Sequence, residues 1–130
     1  MPIDTIATWH EVAKRRDIVG LDKLLADNAT FHSPVVHTPQ VGKKLTKLYL
    51  AGAFHVLFNE TFKYVREIRA QNEAMLEFSV EIDGIEVNGV DIIRWNDEGL
   101  IEDFKVMLRP LKAINMVHQK MGAMLESMKR

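Results

Sequence analysis

Residues 74–95 read AMLEFSVEIDGIEVNGVDIIRW. From Ala74 to Asp83 apolar and polar side chains alternate, with Leu76, Phe78, Val80 and Ile82 on one face and Glu77, Ser79, Glu81 and Asp83 on the other. An extended chain turns successive side chains to opposite sides, so this pattern predicts a strand with one buried face. Asp83-Gly84 is a tight-hairpin signal, and Val87 to Trp95 is the returning strand. Asn96-Asp97-Glu98-Gly99 marks a second hairpin loop, and Ile101 to Arg109 a further strand halted by Pro110. On the other side, Thr61 to Arg69 (TFKYVREIR) reads as one more strand.

Upstream of this meander the period is helical. Ile6, Trp9, Val12 and Ala13 recur at three and four within Asp4 to Arg16. Asp17 can cap a second short helix carrying Ile18, Leu21, Leu24 and Leu25. Ala29 to Ser33 is a short extended piece, Pro34 to Gly42 a loop with two prolines, and Lys43 to about Leu57 a third helix. After Pro110 a methionine-rich stripe, Ile114, Val117, Met121, Met124 and Met128, returns to helix. Helices first, then antiparallel strands, then a C-terminal helix predict an α+β fold with the sheet wrapped over the N-terminal helices. No repeat or linker divides the chain, so residues 1–130 read as a single domain.

Composition narrows the function classes. Seventeen basic residues face eighteen acidic ones without a dense basic run, which argues against nucleic acid as the main partner. The absence of cysteine removes disulfides, thiol catalysis and thiolate metal sites. No basic segment leads into an apolar one at the N-terminus, and no apolar run approaches the ~20 residues that span a bilayer. A cytoplasmic protein with no membrane partner is the expectation.

The order of helix, helix, ADNATFHSP, a proline-containing loop, Gly42, a third helix and hairpins ending in IEDFKVMLRP resembles the nuclear-transport-factor-2-like superfamily. Within it the pattern is most similar to the branch of ketosteroid isomerases and SnoaL-like polyketide cyclases. Two blocks carry the similarity, RDIVGLDKLLADNATFHSP and GVDIIRWNDEGLIEDFKVM. The resemblance implies a cone-shaped, curved antiparallel sheet whose pocket lies between its concave face and the helices. In the ketosteroid isomerases a first-helix tyrosine and a strand aspartic acid donate hydrogen bonds, and an aspartate before a proline is the base. By that resemblance the tyrosine position falls on Trp9, the base position on Ser33 and the acid on Asp91. A serine hydroxyl is too weak a base for carbon-bound protons, so the isomerase mechanism is not expected to carry over with the fold.

If Asp91 faces inward, alternation turns Ile93 and Trp95 the same way. Leu76, Phe78 and Val80, with Phe104, Val106 and Leu108, would line the same concavity, closed by Trp9 and Tyr49 from the helices. Ser33 is counted among the residues of the same pocket. Such an apolar chamber suits a small molecule, although a filled core would have the same composition. Asp91 interrupts the apolar run Val90-Asp-Ile-Ile. Buried, it must be protonated, bonded or paired, and its pKa should rise. It is therefore the candidate catalytic residue, with a structural acid tied to Trp9, Tyr49 or a backbone amide as the alternative.

His37 in the loop and His55 at the end of the third helix could replace the missing base near the cone mouth. His32 and Ser33 should point opposite ways, and His10 and His118 read as surface positions. No histidine spacing resembles a zinc site, and neither a metal nor a cofactor is expected. Lys14-Arg15-Arg16 reads as a solvated helix end. The resemblance implies a homodimer through the convex sheet face.

Three functions compete. The first is a SnoaL-like pocket protein performing isomerisation, cyclisation or dehydration on a hydrophobic, ring-bearing substrate through Asp91. The second is a non-catalytic binder of an apolar metabolite. The third is a dimeric interaction domain with a filled pocket.

Overall fold

The computed structural model describes residues 4–128. Asp4 starts α1 (Thr5–Arg15) by accepting a hydrogen bond from the Ala7 amide at 3.0 Å, and Arg16 ends it in the left-handed conformation, φ 52°. Asp17 then caps α2 (Ile18–Leu24), accepting from the Gly20 amide at 3.0 Å. The chain passes directly into β1 (Leu25–His32), β2 (Gln40–Val41) and α3 (Lys43–Leu57). Four strands follow, β3 (Lys63–Arg69), β4 (Glu73–Ile82), β5 (Ile85–Trp95) and β6 (Ile101–Arg109), and α4 (Leu111–Met128) closes the order.

The six strands form one sheet in the order β2-β1-β6-β5-β4-β3. The expected meander is present, and β4 and β5 pair residue for residue from Glu73↔Arg94 to Ile82↔Ile85. Two features depart from the sequence expectation. Gln40–Val41, inside the predicted loop, pairs antiparallel with β1. And β1 runs parallel to β6, so the sheet is mixed rather than antiparallel. Parallel neighbours need a long connection, and no local turn residue announces the direction in which such distant segments meet.

Burial follows the period-two pattern. Leu76, Phe78 and Val80 of β4, Val87, Asp91 and Ile93 of β5, and Phe104 and Val106 of β6 face inward and are buried. Against them pack Ile6, Trp9 and Val12 of α1 and Leu50, Phe54 and Leu57 of α3. Aromatic rings occupy much of this interior, with Trp9 4.9 Å from Phe104 and 5.8 Å from Phe54, centroid to centroid. Two buried threonines tie the helices down. Thr5 Oγ1 donates to the Gly99 carbonyl at 2.8 Å and Thr46 Oγ1 to the Ala29 carbonyl at 3.0 Å.

Gly89 explains how an inward row of large side chains fits. A Cβ there would lie 2.4 Å from Phe78 Cζ and 2.7 Å from Leu108 Cδ2, the cross-strand neighbours on either side. The missing side chain is the space that those two occupy.

Candidate functional site: a buried carboxylate and an apolar cavity

Asp91 lies on the inner face of β5 and is 5 % exposed. Its Oδ2 accepts from the Tyr64 hydroxyl at 2.8 Å, and Tyr64 Oη accepts from Trp9 Nε1 at 3.0 Å. The three groups form a directed chain, indole to phenol to carboxylate. Tyr64 reaches Asp91 from β3, across β4, while Trp9 comes down from α1. Burial pushes the Asp91 carboxyl up to about 7, against the opposing pull of the Tyr64 hydrogen bond. Burial and then the Asp91 charge hold Tyr64 well above the usual phenol range. The phenol stays a neutral donor while Asp91 titrates near neutrality.

The inner face is not one open hollow. Trp9, Leu76, Phe78, Val80, Ile93 and Phe104 are packed in the interior. An apolar cavity of about 210 Å³ lies beside them, toward α4. Phe31 of β1, Tyr49, Ala53 and Leu57 of α3, Val106 and Leu108 of β6, and Val117, Met121 and Leu125 of α4 line it, with the Ser33–Val36 loop at one side. Of the residues picked from sequence, Ser33, Tyr49, Val106 and Leu108 thus share its wall. Asp91 is not on the wall, but its register partner on β6, Val106, is.

Ser33 Oγ accepts from the Val35 and Val36 amides at 3.1 and 3.3 Å. His32 points to the other side of β1 and meets Asp103 Oδ1 at 2.8 Å. His37 and His55 are exposed and do not line the cavity, whereas His118 of α4 does. Tyr64 and His118 were not picked out from sequence as site residues. Tyr64 sits on a strand whose alternation is weak, and His118 falls one position past the buried Val117 on the helix. Among the described residues no group of three or more His, Asp or Glu could hold a metal ion.

The sheet and α1 thus hold the carboxylate and the phenol, while β1, β6, α3 and α4 enclose the apolar cavity, and comparison with known proteins places the fold. The sequence pattern of the SnoaL-like domain matches residues 6–104. The chain belongs to the SnoaL-like family. Its fold is that of the nuclear-transport-factor-2-like superfamily. A steroid delta-isomerase from Pseudomonas aeruginosa is similar to it over 95% of this chain and 90% of that one, at 37% identity and a TM-score of 0.89. A bacterial protein with a cystatin-like fold from Silicibacter pomeroyi DSS-3 is 30% identical over 92% of this chain and 84% of its own, with a TM-score of 0.85. A ketosteroid-isomerase-like protein from Catenulispora acidiphila DSM 44928, in complex with trimethylamine, shares the fold at 15% identity and a TM-score of 0.63, over 88% and 91% of the two chains. Comparison with curated proteins finds no match. No helix among the described residues is long and apolar enough to cross a membrane.

Proposed function

We propose that this SnoaL-like chain binds a small apolar molecule in the cavity between β6, α3 and α4. The observation that carries this reading is the cavity itself, about 210 Å³, with an almost wholly apolar wall set between β6, α3 and α4. A concave, mostly apolar wall with a few polar groups is the composition of a small-molecule site. Gly122 supplies the test. It lines the cavity, and a Cβ built on it meets nothing within 4 Å. Gly122 stands at the exposed rim, so Gly122→Leu narrows the entrance and improves helix propensity by about 0.5–1 kcal/mol, and lost binding cannot be assigned to unfolding. Single-ring probes such as acetophenone and α-methylstyrene in excess should raise the melting temperature of the wild type and leave that of Gly122→Leu unmoved. An equal rise in both proteins would put the guest elsewhere and end this reading.

A second reading, acid–base turnover of the guest, is favoured by Asp91. A carboxyl titrating at about 7 can both give and take a proton at neutral pH. It stands beside Val106, one strand away from the cavity wall. The similarity to a steroid delta-isomerase supports this class of chemistry. Ser33 holds the position that the resemblance gives to the base, and both amides of its loop are already directed at its oxygen. This second reading assigns proton transfer to Asp91, with Tyr64 as its donor partner, rather than to the exposed His118 of the cavity wall. Asp91→Asn should abolish turnover of a substrate while sparing its affinity. Retained turnover would leave binding alone.

The convex sheet face supports a homodimer. Ile68 and Met75 are cross-strand partners there, as are Val90 and Met107, and Ile68, Met75 and Met107 are exposed. Adjacent apolar side chains in this number suit a second copy better than solvent.

A further inference from the structure

We infer, resting on the binding reading above, that the guest is a neutral molecule of about one ring bearing a carbonyl or ether oxygen, which the hydroxyls of Ser33 and Tyr49 bind. Size comes first. A cavity of about 150 Å³ accommodates benzene, so about 210 Å³ takes one ring with a short substituent.

Charge comes next. Among the described residues no Asp, Glu, Lys or Arg lines the cavity, and the one imidazole of the wall, His118, is exposed to solvent rather than enclosed with the guest. A cation or a carboxylate held there would lose its hydration and gain no counter-charge, which is costly in an apolar site. The guest is therefore neutral.

The polar atoms of the wall decide the rest. A serine hydroxyl has one proton and two acceptor positions. Both acceptor positions of Ser33 are taken by the Val35 and Val36 amides, at 3.1 and 3.3 Å. What remains is the proton, and accepting two N–H groups makes it a better donor. Tyr49 holds its ring by stacking on Phe31, with centroids 5.3 Å apart at 20°. Its hydroxyl has no hydrogen-bond partner among the described residues and has a proton to give. His118, the third polar residue of the wall, can donate from whichever ring nitrogen is protonated. Each of the three polar side chains on the wall thus has a proton with no acceptor among the described residues, and a guest oxygen would supply one.

Calorimetric titration of the intact protein tests this with three probes of nearly one shape. Acetophenone carries C=O where α-methylstyrene carries C=CH2, and benzoate carries a charge. Acetophenone should bind roughly tenfold tighter than α-methylstyrene, the worth of one to two hydrogen bonds, and benzoate weaker than either. Tyr49→Phe keeps the ring stack and should cut acetophenone affinity several-fold, leaving α-methylstyrene unchanged. Ser33→Ala should do likewise, and Tyr49→Phe remains decisive if unpairing the loop amides disturbs the loop. Equal affinity for the two neutral probes overturns the hydrogen-bond assignment and leaves the apolar binding reading standing. Benzoate binding as tightly as acetophenone overturns neutrality. Failure of both neutral probes to bind overturns this inference together with the binding reading itself.

Discussion

Asp91 shows how one side chain can couple site chemistry to stability. Its carboxyl titrates at about 7 in the folded chain and near 3.8 when exposed. Between those values the folded state holds a proton that the unfolded state has released, so stability falls as pH rises through the interval. Above about 7 both states are ionised and the slope vanishes. Asp91→Asn removes the titration. Measured by denaturant unfolding, the mutant should gain on the wild type by about 1.4 kcal/mol per pH unit between pH 5 and 7, toward a ceiling of roughly 4 kcal/mol. A constant difference across that range would mean that the carboxyl is not held neutral by burial. The residue was legible because an acid interrupts an apolar run on a face that alternation already assigned to the interior. Its partner was not. Tyr64 and Asp91 lie on strands separated by β4, and the diagonal reach between them leaves no mark in either segment of sequence.

At the level of elements, the β4–β5 hairpin anchors the sheet, and the packing of its inner face depends on a glycine. Gly89→Ala would drive a methyl group into Phe78 and Leu108. Phe78 is 1 % exposed and cannot yield, so overpacking against its ring should cost about 1–3 kcal/mol by chemical denaturation. Because Leu108 lines the cavity, ligand affinity should fall as well. A neutral effect on both would show that the two side chains can move aside. This hairpin, the capped helices and the strand ending at Pro110 were legible because period, cap and turn residues agree with one another there. Two-residue β2 was not, being too short to show a period beside two prolines. The parallel contact of β1 with β6 was not legible either, since strands at opposite ends of the chain share no turn chemistry.

For the whole molecule, the α+β class and the wrapping of the sheet over the helices follow from the segregation of periods along the chain. The extent of the hollow does not. Composition cannot distinguish an aromatic-filled interior from an open one, and the rings of Trp9, Phe54 and Phe104 fill space that an apolar face alone would allow to be empty. The assembled state belongs to this scale too. Met107→Lys adds a charge beside Ile68, Met75 and Val90, and light scattering should then report a monomer for the variant and a dimer for the wild type. A monomeric wild type would refute the homodimer. The indole of Trp9, 1 % exposed, donates through one phenol to a carboxylate that ionises near neutrality. Its emission should therefore shift as that carboxyl ionises, over a background from Trp95, and would serve as an optical gauge of the interior.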